Sequence, residues 1–115
     1  MELEIYDRKD YKKGDSIIVQ GEEARNLYII EKGLVEIWHL KDGVRKTITQ
    51  LGPGRIFGEM AFVDSAPRTA TATASEPTIC IRVSGKKLTE ELEHCPPFIR
   101  ALMKVLVKNL RVTTK

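Results

Sequence analysis

The sequence predicts a mainly β fold with a smaller α part: a barrel, roll or jelly roll of short strands, followed by two C-terminal helices. Up to about residue 83, short apolar runs alternate with turn-forming residues at close spacing, as expected of many-stranded antiparallel folds. The stretch Ala70-Thr71-Ala72-Thr73-Ala74 alternates strictly between alanine and threonine, the period of a strand. Past residue 84 the apolar spacing lengthens to that of a helix.

Taken in order, Lys13-Gly14-Asp15 and Gln20-Gly21-Glu22-Glu23 bracket the apolar run Ile17-Ile18-Val19. A strand over Asn26 to Glu31 ends at the turn Lys32-Gly33. The next, Leu34 to Leu40, places Val35 and Ile37 on one face. Lys41-Asp42-Gly43 carries the Asp-Gly pair favoured in tight hairpins, so the chain returns over Val44 to Leu51. Gly52-Pro53-Gly54 breaks the pattern. The Ala/Thr strand presents an alanine face that permits close approach to the backbone, and Thr78 to Val83 forms a further strand. Ser84 is suited to cap a helix running through Leu88 and Leu92 to about His94, where Cys95-Pro96-Pro97 stops it. Pro97 then suits the first turn of a second helix. That helix carries an apolar stripe, Ile99, Met103, Leu106 and Leu110, and a basic one, Arg100, Lys104, Lys108, Arg111 and Lys115. No internal repeat, linker or low-complexity segment interrupts the pattern.

With 115 residues the chain has room for one domain and one core. A net charge of +3 falls short of the dense basic surface of a nucleic-acid binder, and the basic stripe reads as a solvated helix face. No apolar run is long enough to span a bilayer, and Met1-Glu2-Leu3-Glu4 lacks the order of a signal peptide. Cys80 and Cys95 are too few for a disulfide scaffold and read as thiols of a reducing cytoplasm. Tyr28 and Trp38 are expected to pack rather than to stack on a ligand.

The chemistry concentrates in Phe57-Gly58-Glu59-Met60-Ala61-Phe62 and, after a short gap, Pro67-Arg68-Thr69-Ala70. Glycine followed by helix-forming residues reads as a single helical turn. The first N–H groups of such a turn lack internal partners and make an anion site. Arg68 adds a full charge and a planar fork of donors matched to two phosphate oxygens. Glu59, an acceptor, suits a hydroxyl donor such as a ribose supplies. Anion site, arginine and carboxylate together describe a sugar phosphate; the alternative for Arg68 and Glu59 is a surface ion pair inside a turn.

Phe57-Gly58-Glu59-Met60-Ala61 followed by Arg68-Thr69-Ala70 resembles the phosphate-binding cassette of cyclic-nucleotide-binding domains, the family of the catabolite activator protein, kinase regulatory subunits and cyclic-nucleotide-gated channels. The resemblance continues upstream through Lys13-Gly14-Asp15, Gly21-Glu22, Leu27 to Ile30 and Gly33-Leu34-Val35. It implies one domain over residues 1–115. A double-stranded β-helix, the jelly-roll-like β-roll, would span about 3–83, with helices over about 85–94 and 97–113. It implies that Gly58 and Glu59 hold the ribose 2′-hydroxyl and that Arg68 pairs with the exocyclic phosphate oxygens. The N–H groups of Ala61 and Thr69 would cradle those oxygens, and the Thr69 hydroxyl would meet phosphate or purine. In the family a C-terminal helix closes over the base. Residues 97–113 are the candidate lid, Lys108, Arg111 and Thr113 its candidate contacts, and the apolar stripe its closing surface. The family's usual helical segment before the roll has no counterpart here, and the lid helix is short.

Enzyme readings fail on missing residues. Phe57 stands where a dinucleotide fingerprint needs glycine, and Gly85-Lys86-Lys87 lacks the rest of a phosphate loop. His39 and His94 lie in separate elements and make no metal cluster. The expectation is a cytoplasmic regulatory sensor, not an enzyme, with no cofactor or metal. Its ligand would be cAMP first and cGMP second. It would act on a separate effector or be one domain of a longer protein; direct nucleic-acid contact and a membrane span are not expected, and oligomeric state stays open. The alternatives are a ligand-free interaction module and a fragment of a transcription regulator.

Overall fold

A computed structural model of the chain describes residues 6–59 and 67–113. Among these residues the order is β1 (Tyr6–Tyr11), β2 (Ser16–Ile18), β3 (Asn26–Lys32), β4 (Val35–Lys41), β5 (Val44–Leu51), β6 (Ile56–Phe57), β7 (Thr71–Ala74), β8 (Thr78–Ser84), α1 (Gly85–Leu92) and α2 (Pro97–Thr113). The strands form two four-stranded antiparallel sheets, ordered β1-β8-β3-β6 and β2-β7-β4-β5. Apart from the β4–β5 hairpin, successive strands pass back and forth between sheets, and the first strand pairs with the last. This is the winding of a jelly roll, as the sequence predicts.

The core lies between the sheets and draws on both: Tyr28, Ile30, Phe57 and Cys80 from one, Ile18, Val35, Leu51 and Ala72 from the other. Strand alternation is what makes this possible, because every second side chain of β3, β4 and β8 faces inward. Val35 pairs with Ala74 and Ile37 with Ala72, both alanines being buried. The predicted alanine face thus exists, and the space its small side chains leave is taken up by the core. Asp42 and Gly43 both adopt positive φ, 54° and 76°, between the paired residues Lys41 and Val44. The Asp-Gly signal was therefore a two-residue hairpin turn.

Two strands went unread. β1, Tyr-Asp-Arg-Lys-Asp-Tyr, has almost no apolar content because it is an edge strand held by charge. Asp7 pairs with Arg82 at 2.9 Å, and Arg8 reaches Glu31 at 2.7 Å. β6 is only two residues long. Other differences concern ends: Val19 and Ala70 lie just outside their strands, and α1 stops at Leu92.

Ser84 is extended at φ −69°, ψ 118°, and its Oγ accepts the Lys87 N–H at 3.2 Å, so it caps α1 as predicted. Tyr28 is a core residue stacked on Phe57, with ring centroids 5.1 Å apart. Trp38 packs on the outer face of its sheet. Its indole N–H donates to Thr73 Oγ1 at 2.9 Å, and the Arg45 guanidinium lies 4.0 Å over its ring. Among the described residues no helix is long and apolar enough to cross a membrane.

Candidate nucleotide site

The site is built where β6 ends and where the chain re-enters the roll before β7. The stack of Phe57 on Tyr28 fixes the last residue of β6 against β3. Gly58 follows with φ +79°, a conformation that L side chains rarely adopt. A Cβ there would lie 3.1 Å from Arg68 Nη1 and 3.2 Å from the Asn26 carbonyl. Glycine is needed both for the turn and for the close approach of the arginine.

Arg68 is held along its whole length. Its N–H donates to the Glu22 carbonyl at 2.7 Å, and its own carbonyl accepts from Gly21 N–H at 2.8 Å. The guanidinium donates from Nη1 to the Gly58 carbonyl at 3.0 Å and from Nη2 to the Asn26 carbonyl at 2.6 Å. Arg68 and Glu59 are each only 6% exposed. The surface ion pair considered for them is therefore not what the chain builds. Among the described residues Arg68 makes no ion pair within 4.0 Å, and the hydrogen-bond partners of its guanidinium are backbone carbonyls.

Burial pulls the Arg68 guanidinium below its ordinary pKa, while the fields of Tyr28, Glu59 and Glu22 oppose that shift. Leaving an ion of this size in the interior costs several kcal/mol, and hydrogen bonds to a charged group return roughly 1.5–3 kcal/mol each. Two carbonyls offset part of that cost, and an anion would offset more.

The structure thus brings together Phe57, Gly58, Glu59 and Arg68. Thr69 is exposed and Ala70 half-buried, immediately beside them in the chain. Met60 and Ala61, with the rest of the expected helical turn, lie outside the described residues. Lys108, Arg111 and Thr113 fall in the last turns of α2, and their side chains also lie outside what is described. Of the apolar stripe, Ile99 and Met103 are half-buried and Leu106 is exposed, while the Leu110 side chain is not described. Phe98, Leu102 and Val105 form a second exposed apolar row that sequence reasoning did not single out; Phe98 is 71% exposed.

Sequence reasoning also missed Asn26, which contributes through its carbonyl, a group every residue type has. Tyr28 packs in the core as expected, and a Gly58 Cβ would lie 3.4 Å from its Cδ1, so it packs under the glycine turn. A groove of about 890 Å³ opens elsewhere, between the β2–β3 connection and the start of α1. It does not contain Glu59 or Arg68.

A jelly roll of this winding, with a buried arginine and carboxylate at a glycine turn, is the architecture of a regulatory ligand-binding domain. The cyclic nucleotide-binding domain model matches residues 8–95, and the chain belongs to that family. It is 42% identical over 95 residues to a cAMP-dependent protein kinase regulatory subunit of Yarrowia lipolytica, covering 80% of this chain and 24% of the relative. It is 32% identical over 111 residues to the cyclic AMP receptor protein of Thermus thermophilus, covering 95% of this chain and 51% of the relative. Among solved structures, the cAMP-bound form of the EAL enzyme Bd1971 superposes with a TM-score of 0.74 at 36% identity, over 93% of this chain and 29% of that one. A cGMP-bound form of the same enzyme matches with the same score and identity, over 94% and 29%. The chain therefore spans between about a quarter and a half of the length of these relatives.

Proposed function

We propose that the chain is a regulatory module that binds a cyclic purine mononucleotide, cAMP in the first place, and does not transform it. The observation that carries this reading is the buried Arg68 guanidinium, which has carbonyl partners but no ion pair among the described residues, next to the buried Glu59. Arg68 takes the exocyclic phosphate oxygens and Glu59 the ribose 2′-hydroxyl. The N–H groups of Ala61 and Thr69 complete the phosphate cradle, and α2 closes over the base through Lys108, Arg111 or Thr113. The relatives named for cAMP support cAMP as ligand. The exposed Thr69 hydroxyl, which suits a guanine amino group, keeps cGMP as the second ligand. Residues 1–115 would act as one such unit in the cytoplasm, controlling an effector elsewhere in a longer protein or on another chain.

The test is isothermal titration of nucleotide-stripped protein with cAMP, cGMP and 5′-AMP. Binding of a cyclic nucleotide but not of 5′-AMP is expected. Arg68→Ala should weaken it by about thirtyfold to several thousandfold, the equivalent of ~2–5 kcal/mol. A folded, nucleotide-free protein that binds neither cyclic nucleotide would overturn the reading in favour of an interaction module.

A further inference from the structure

The longest helix of the chain is the one with the least to lie on. Among the described residues α2 shares no substantial packing with any strand or with α1, whereas α1 packs on β3 and β8. An amphipathic helix is ordinarily held by burying its apolar face. Here Phe98, Leu102, Val105 and Leu106 are between 43% and 71% exposed. Phe98, Leu102 and Val105 recur at spacings of four and three, so they form one row on the helix surface. That row is separate from the half-buried Ile99 and Met103 of the closing stripe. The polar side of the helix has a single sign. It carries Arg100, Lys104, Lys108 and Arg111 and no acidic residue, although the whole chain has a net charge of only +3. The rest of the molecule is therefore slightly acidic, and the positive charge is gathered on α2. Among the described residues neither Arg100 nor Lys104 takes part in an ion pair.

We propose that α2 docks on an anionic lipid surface. The Phe98-Leu102-Val105 row enters the acyl boundary, and the basic residues meet the phosphate headgroups. The proposal stands apart from the nucleotide site and uses none of its residues. A helix with phenylalanine and leucine on one side and only cations on the other is the kind that such interfaces retain. At 17 residues it is about 25 Å long and charged along its length, so it lies in the interface and does not cross the bilayer. Each cation close to an anionic leaflet adds to the attraction, and apolar burial adds a part that salt does not screen. A second copy of the chain is the poorer occupant. It would bring the same cations, with no carboxylate on either helix to pair with them, so like charge opposes helix-to-helix association. Lipid phosphates supply the missing negative charge and the apolar layer together.

The experiment is co-sedimentation of the full chain with phosphatidylcholine vesicles, with and without phosphatidylserine. Binding is expected to the anionic vesicles, far less to the neutral ones, and it should fall as salt is raised. Arg100→Gln with Lys104→Gln should weaken it by about twenty-five-fold, roughly fivefold for each charge. Phe98→Ser with Leu102→Ser should abolish it. Phe98→Ala, which favours the helix, should weaken it about tenfold and decides the matter if the serine variant does not fold. Absence of binding to the anionic vesicles overturns the proposal. So does unchanged binding by a folded serine or alanine variant, because charge alone would then hold the chain, as any acidic macromolecule could. A dimer in analytical ultracentrifugation that the serine variant breaks, in a chain that ignores the vesicles, overturns it in favour of a second copy.

Discussion

At Gly58 a left-handed backbone, a close-packed arginine and a neighbouring carbonyl meet within a few ångströms. Alanine there has nowhere to go: its Cβ would press on the Asn26 carbonyl, which is backbone, and on an arginine tip that is itself hydrogen-bonded. Gly58→Ala is therefore expected to cost ~1–3 kcal/mol of stability from backbone strain, read from the urea midpoint. Calorimetry should show weaker cyclic-nucleotide binding as well, because Glu59 and Arg68 both take their positions from this turn. An alanine variant as stable as the parent, and binding as tightly, would show that the turn does not set the site. Much of this was legible beforehand. Gly58, Glu59 and Arg68 are unusual residue types in a tight order, and order survives in a sequence. The carbonyls of Asn26 and Gly58 were not legible, since their chemistry is common to every residue and only the fold aims them.

At the scale of elements, α1 is eight residues long, too short to be stable by propensity alone, so its start matters. Ser84→Ala removes the side-chain acceptor for the Lys87 N–H and is expected to cost ~1 kcal/mol, within a range of about 0.5–2. Chemical denaturation measures this; a cost near zero would mean that β8 and the bond from Gly85 N–H to the Arg25 carbonyl, not the cap, hold the helix start. Capping serine, hairpin Asp-Gly and helix-starting Pro97 were all readable because each solves a local problem with side-chain chemistry. β1 was not, because an edge strand has little core to face. Its pattern of half-buried Asp7, Lys9 and Tyr11 makes sense only once β8 lies beside it.

Across the whole molecule, among the described residues, burial raises the proton affinity of a cysteine and a tyrosine. Burial pushes the Cys80 thiol up to about 11 and the Tyr11 phenol up to about 12. The folded protein binds these protons more tightly than the unfolded chain does. Their contribution to stability is therefore constant at neutral pH and is lost as pH rises from about 9, where an unfolded thiol ionises, towards 12. Urea midpoints measured from pH 8 to pH 11 should fall, and the fall should be shallower in the Tyr11→Phe, Cys80→Ala double variant. Equal slopes in the two proteins would assign the alkaline loss to other groups.

The pairing of the first strand with the last has a consequence in time. β8 is the strand between β1 and β3, so Tyr6 finds its partner Val83, and Leu27 finds the same Val83, only after nearly the whole roll has been synthesised. A ribosome-bound chain lacking β8 holds two strands of one sheet with nothing between them. Contacts this distant in sequence close slowly, because the entropy of the intervening loop is lost before any contact forms. The nascent roll cannot close this sheet until β8 arrives between neighbours made some fifty to eighty residues earlier.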